Sequence, residues 1–176
     1  SSDLMRAPTD LAIRTENGHS FVRIVQRTAF YLGQKIDPPR DGELRLRLRY
    51  RTAAAQGGLG FSVCEKLLLY SENCVGATVA GSADWRALDM PLRLAGMGGP
   101  GPLRRPIEFS LFAGGVGTSL DIENVVLTDA DGRQLLANGD FSHGIERWLF
   151  TDDDHLAWRM KNMYLMSFFE TGALGL

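Results

Sequence analysis

The chain has 176 residues, 44% of them hydrophobic and 23% charged, the size and composition of one globular domain whose core is large enough to need no staples. Its formal net charge of −2 gives no electrostatic footing for a nucleic-acid partner. No apolar run reaches the length a bilayer demands, and the abrupt start at Ser1 and the apolar stop at residues 171–176 read as cuts from a longer protein.

A short strand is expected over Leu11–Arg14, followed by Asn17-Gly18, a strong hairpin signal, and a second strand carrying Phe21, Val22, Ile24 and Val25. Ala29–Ile36 is ambiguous. Asp37-Pro38-Pro39-Arg40-Asp41-Gly42 then interrupts any regular structure. Residues 43–52, ELRLRLRYRT, alternate strictly: Leu44, Leu46, Leu48 and Tyr50 share one face, and Arg45, Arg47, Arg49 and Arg51 share the other. Such alternation predicts an antiparallel sheet with one wet face. Further strands are expected from about Gly60 to Cys64, around Leu67 to Tyr70, over Val75–Ala80, and on a segment carrying Trp85, Leu88 and Met90. The glycine- and proline-rich run from Ala95 to Pro106 is a loop. Ile107, Phe109 and Leu111 then share one strand face. Leu120, Ile122 and Val125 to Leu127 make a strand rich in β-formers. Asp129, Asp131 and Gly132 supply turn chemistry, Gln134–Ala137 is expected as a short strand, and Asn138-Gly139-Asp140 turns the chain again.

Strands at this cadence, with turns between them, predict an all-β protein, a sandwich or a barrel. Three phrases carry a resemblance: LDIENVVL at residues 120–127, NGDFS with Gly144 and Trp148 behind it, and WRALDMPL at residues 85–92. Together they resemble the galactose-binding-like jelly roll found in many carbohydrate-binding modules, and the resemblance implies an antiparallel β-sandwich of jelly-roll type. After residue 150 the character changes. Three aspartates, Asp152 to Asp154, precede a run carrying Trp158, Met160, Met163, Tyr164, Leu165, Met166, Phe168 and Phe169. This run predicts a short C-terminal helix, capped by one of those aspartates and too apolar all round to stand alone in water. The domain division expected is therefore a sandwich over 1–150 and a helical tail over 151–176.

The tail resembles the membrane-entry phrase of O-antigen ligase and polysaccharide polymerase membrane proteins at Asn162, Leu165, Glu170, Gly172, Gly175 and Leu176. Lys161 stands where that phrase usually has histidine. The resemblance implies an extracytoplasmic, periplasmic setting within a bacterial inner-membrane protein of surface polysaccharide assembly, with the C-terminal segment leading toward the membrane. In that setting Cys64 and Cys74, ten residues apart, are expected as a disulfide; in a reducing compartment they would be two small apolar residues. Their spacing excludes a CxxC motif, and His19, His143 and His155 are scattered, which argues against a transition-metal site.

No cofactor is expected. Jelly rolls of this group often hold a structural Ca²⁺, which is not assigned to residues here, and the Asp152–Asp154 cluster is explained more simply by capping and turn formation. Glu108, Asp121 and Glu123 are read as solvated strand carboxylates rather than a hydrolytic pair. No nucleophile elbow or phosphate-cradling loop is present. A pyranose offers an apolar C–H face to aromatic rings and hydroxyls to planar polar partners. On that chemistry the candidate ligand-binding residues are Tyr50, Tyr70 and Trp85, with Arg47 and Arg49 from the alternating strand, although packing accounts for Tyr50 and Trp85 as well. Trp148 is expected to pack the NGDF segment onto the sandwich. The function expected is a non-catalytic glycan- or polysaccharide-binding module. Its first rival is a protein-interaction module of an export complex, and its second is a hydrolase or lyase on the same fold.

Overall fold

The computed structural model describes residues 10–26, 30–53, 57–67, 70–97, 104–115 and 117–152. Among them ten strands build two five-stranded antiparallel sheets, with no helix. Across its width the first sheet runs β1 (Asp10–Glu16), β2 (His19–Val25), β9 (Ser119–Thr128), β4 (Glu43–Thr52) and β7 (Arg86–Arg93). The second runs β10 (Leu149–Asp152), β3 (Phe30–Ile36), β8 (Ile107–Ala113), β5 (Gly58–Leu67) and β6 (Tyr70–Ala80). The chain changes sheet repeatedly, and only β1–β2 and β5–β6 are sequential hairpins. That is the wiring of a jelly-roll sandwich.

Period-two burial builds the core. Leu44, Leu46, Leu48 and Tyr50 of β4 point inward with Val22 and Ile24 of β2 and Leu120 and Ile122 of β9. They meet Leu32, Leu59, Phe61, Phe109 and Leu111 from the second sheet. The Asn17-Gly18 turn has both residues at positive φ, 52° and 80°, as the tightest hairpin turn requires. β9 departs from strict alternation at Asn124, whose φ is 53°. Its register against β4 shifts between Arg47 and Arg49, so β9 carries one extra residue there. This bulge keeps Glu123 outside while both Ile122 and Val125 remain in the core.

The Asn138–Trp148 segment closes one end of the sandwich. Gly139 O accepts from Val125 N at 2.8 Å, and Trp148 Nε1 donates to Asn138 O at 3.0 Å. The Trp148 ring packs against Phe141 and Phe109, with centroids 5.6 and 6.4 Å away. Tryptophan buries a large apolar body here while its one donor finds a carbonyl, the usual condition for a buried indole.

Four expectations change. The ambiguous Ala29–Ile36 stretch is β3 from Phe30 onward, with Leu32, Gln34 and Ile36 buried. Gln134–Ala137 forms no strand and pairs only through an isolated Thr128–Gln134 bridge. Its backbone is instead clamped by Gln34, whose Nε2 donates to Ala137 O at 3.0 Å and whose Oε1 accepts from Ala137 N at 2.6 Å. The strand expected around Leu67 to Tyr70 is not a separate one: Leu67 ends β5, Tyr70 begins β6 and the two pair, while residues 68 and 69 lie outside the described residues. Asp121 and Glu123, expected to be solvated, are buried at 4% and 3% exposure, because arginines on neighbouring strands close over them. β10 extends to Asp152. The tail helix lies outside the described residues.

Candidate functional site

The outer face of the second sheet has a floor set by register. Gly33 of β3 lies opposite Ser110 of β8, Ser110 opposite Ser62 of β5, and Ser62 opposite Gly76 of β6. Four small residues thus form one row perpendicular to the strands, and a row without bulky side chains is a trough. Phe112 stands on one side, beside Gly60, with Tyr31 edge-on to it at 5.3 Å between centroids. Gly60 is obligatory there: a Cβ on it would lie 2.0 Å from the Phe112 ring. On the other side runs the row Lys35, Glu108, Cys64 and Cys74, with Lys66 and Ser71 beyond it. The result is a groove of about 440 Å³ to which Tyr31, Phe112 and Tyr70 give aromatic surface and Ser62, Ser110, Glu108 and Lys66 give polar groups.

The polar groups hold one another in place. Lys66 Nζ lies 3.0 Å from Glu108 Oε1 and donates to Ser71 Oγ at 2.8 Å. Ser110 Oγ donates to the same Glu108 oxygen at 3.1 Å. Fixed donors and acceptors of this kind lose little entropy when they meet a hydroxylated ligand. Cys64 and Cys74 face each other directly across β5 and β6 with Cα atoms 4.2 Å apart, and are joined in a disulfide. The bond lies in the groove wall and ties edge strand β6, which supplies Tyr70 and Ser71, to β5.

The opposite face is built differently. On the first sheet Asp121 accepts from Arg23 through both oxygens, each at 2.7 Å, and from Arg51 Nε at 2.8 Å. Glu123 pairs with Arg49 at 2.5 Å, and Arg51 reaches Glu16 at 2.7 Å. Phe21 and Trp85 meet edge-on at 5.5 Å, with the Arg51 guanidinium 4.6 Å from the Trp85 centroid and 5.3 Å from that of Phe21. Further along, Arg45 clamps Asp89 with two hydrogen bonds, which hold the Asp89 carboxyl below the usual carboxylate range. Every carboxylate named on this face is engaged by an arginine, and both rings are covered by guanidinium groups.

The five ligand-binding candidates from the sequence therefore do not converge. Tyr70 lines the groove. Tyr50 points into the core, and its hydroxyl donates to Ala80 O at 2.8 Å. Trp85 and Arg49 belong to the stacked network of the first sheet, and exposed Arg47 stands on that same outer face, adding its charge to the pull on Asp89. Sequence reasoning missed Tyr31 and Phe112 as binding surface. A signal existed for Phe112: it shares parity with Glu108 and Ser110, opposite the apolar row of Ile107, Phe109 and Leu111. An aromatic ring on the polar face of an alternating strand is out of place as packing. Among the described residues no cluster of histidine, cysteine, aspartate and glutamate could hold a metal ion.

Solved structures share this architecture. A family 4 carbohydrate-binding module matches 69% of this chain and 90% of its own, with a TM-score of 0.52 at 14% identity. A Bacteroides thetaiotaomicron protein provisionally assigned as sugar-binding matches 72% of this chain and 85% of its own, with a TM-score of 0.55 at 10% identity. A family 16 carbohydrate-binding module matches 72% of this chain and 89% of its own, with a TM-score of 0.50 at 16% identity. The chain matches no protein-family model and no curated protein. Its fold is the β-sandwich of carbohydrate-binding modules.

Proposed function

We propose that the domain binds carbohydrate in the groove on the outer face of the second sheet, as a non-catalytic module. The observation that carries this reading is the pairing of aromatic surface, from half-buried Tyr31 and Phe112 and exposed Tyr70, with a fixed set of hydroxyl, carboxylate and ammonium groups along a floor of small residues. Apolar sugar faces stack on rings, and sugar hydroxyls exchange hydrogen bonds with such groups. The fold neighbours, named as carbohydrate-binding modules or assigned as sugar-binding, support the same ligand class. Glycoside hydrolysis by the common route needs two carboxylates across a cleft, and Glu108 is the one carboxylate among the residues lining this groove. That supports binding without turnover.

The tail supports a finer setting: an extracytoplasmic module of a bacterial membrane protein of surface polysaccharide assembly, holding a glycan beside the membrane. Flotation of the protein with liposomes, with and without residues 153–176, tests that setting separately from sugar binding. Co-flotation that is indifferent to the tail counts against it.

Affinity electrophoresis against linear polysaccharides, followed by calorimetry with matching oligosaccharides, tests the binding site. Tyr31→Ala and Tyr70→Ala are expected to weaken retention, and Ser62→Trp, which fills the trough, to abolish it while thermal unfolding stays unchanged. Retention by the Ser62→Trp protein at full strength would place the ligand elsewhere.

A further inference from the structure

The floor row does not end at β3. Gly33 is the register partner of Leu149 at the start of β10, so the line of small residues leads onto an exposed leucine and into a second cavity of about 610 Å³. This cavity lies where the β3 edge outruns β10, whose pairing stops at Gly33. Lys35, Arg147, Gln134 and Leu149 line it, with the edge of Trp148. From β6 to β10 the row crosses four strand-to-strand gaps, about 19 Å at the usual sheet spacing.

The charge in this cavity is of one sign. No carboxylate lines it, while two cations do. Among the described residues neither Lys35 nor Arg147 forms an ion pair, in contrast to the engaged arginines of the first sheet. The nearest acidic partner by register is Glu108, directly opposite Lys35, but its Oε1 is already held by Lys66 and Ser110. Arg147 is held in an unusual backbone conformation, φ 72°, at the end of the tightly hydrogen-bonded Asn138–Trp148 segment. Gln134 Oε1 accepts from Leu127 N at 3.0 Å, which fixes this side chain in the cavity wall.

We propose that this second cavity is an anion-recognising subsite of the groove, and that the ligand is an acidic polysaccharide whose carboxylate-bearing sugar sits between Lys35 and Arg147. The inference rests on the groove's being the glycan site and names the class of glycan. A neutral sugar would leave two cations beside it without partners, whereas a uronate supplies the charge-assisted hydrogen bonds they can make. Lys66 does not serve this purpose, because Glu108 already neutralises it.

The test uses the full chain and an array of uronate-containing oligosaccharides printed beside their carboxyl-reduced, neutral counterparts. Binding is expected to concentrate on the acidic members, with carboxyl reduction costing about tenfold or more in affinity, the scale of one charge-assisted hydrogen bond. Affinity for the acidic ligand should fall as salt rises. Lys35→Gln and Arg147→Asn are the diagnostic variants; asparagine tolerates the positive φ at residue 147. Each is expected to weaken acidic binding several-fold, to flatten its salt dependence, and to leave the thermal midpoint unchanged. Equal binding of neutral and acidic partners, unaffected by either variant, overturns this inference and leaves glycan binding in the groove intact. Binding to no sugar on the array overturns both.

Discussion

The Arg51 guanidinium donates from Nε to Oδ2 of Asp121 at 2.8 Å, across two neighbouring strands of the first sheet. Asp121 is almost wholly buried while Arg51 and its companion Arg23 keep substantial access to water. That asymmetry decides what mutation does. Replacing Arg23 and Arg51 together with methionine leaves a buried carboxylate with no counter-charge, expected to cost about 3 kcal/mol or more. Asp121→Asn leaves two arginines that can turn to solvent, and is expected to cost about 1–2 kcal/mol. Urea unfolding of the two proteins checks the order; a larger loss for Asp121→Asn would contradict the account.

The aromatic side of the groove depends on a missing side chain. Gly60→Ala places a methyl group 2.0 Å from the Phe112 ring, so the ring must leave its place and with it the edge contact to Tyr31. The expected loss is about 1–3 kcal/mol, typical of overpacking, together with weaker sugar binding. Gly115→Ala is the control, because its Cβ meets only the Thr118 methyl at 3.8 Å, an ordinary contact, and Gly115 does not line the groove. Thermal melts and calorimetry of both variants provide the measurement.

The cross-strand disulfide closes a short loop, Cys64 to Cys74. Reduction, or the double variant Cys64→Ser/Cys74→Ser, is expected to lower stability by about 2–3 kcal/mol on the chain-entropy estimate for ten residues. The loosening should concentrate in β6, an edge strand whose side chains are mostly exposed, and so weaken the Tyr70 end of the groove first. Hydrogen exchange with and without a dithiol reductant reads this out. Uniform loss of protection across both sheets is the contrary result.

Acid sensitivity has a local source in the turn after β9. Arg133 Nε donates to Asp129 Oδ2 at 3.0 Å, and the amides of Arg133 and Asp131 donate to Oδ1 at 2.9 and 3.2 Å. The Arg133 side chain, aided by those amides, holds this carboxyl below its ordinary range. A lowered folded-state pKa contributes stability that is fully present above the unfolded value of about 3.9 and is lost as pH falls through the folded value. Asp129→Asn is therefore expected to give a shallower loss of stability below pH of about 4. Side-chain NMR titration of Asp129, with urea midpoints against pH, tests it; a midpoint at or above the ordinary value rules the account out.

What the sequence alone determined is period-two structure. Residues 43–52 alternate so strictly that leucines inward and arginines outward were legible at once, as were the Asn17-Gly18 hairpin, the strand over Leu120–Leu127 and the packing role of Trp148. Each depends on local sterics or on burial of one strand face, and those act within a few residues. β3 was harder to read, because Gly33 and Gln34 interrupt its apolar pattern and their roles, trough floor and clamp on Ala137, are set by distant segments.

The candidate site was decided by tertiary register. Gly33, Ser110, Ser62 and Gly76 lie far apart in sequence, and only antiparallel pairing with one particular alignment sets them in a row. The same alignment turned Tyr50 into core, wrapped Trp85 in guanidinium groups and left Tyr31 and Phe112 facing the trough. Asp121 and Glu123 likewise became buried because Arg51 and Arg49, 70 and 74 residues away in sequence but on the neighbouring strand β4, close over them. Side-chain parity is a property of one strand, whereas a groove is a property of how several strands line up, and a shift of one residue would have moved every group in it to the other face.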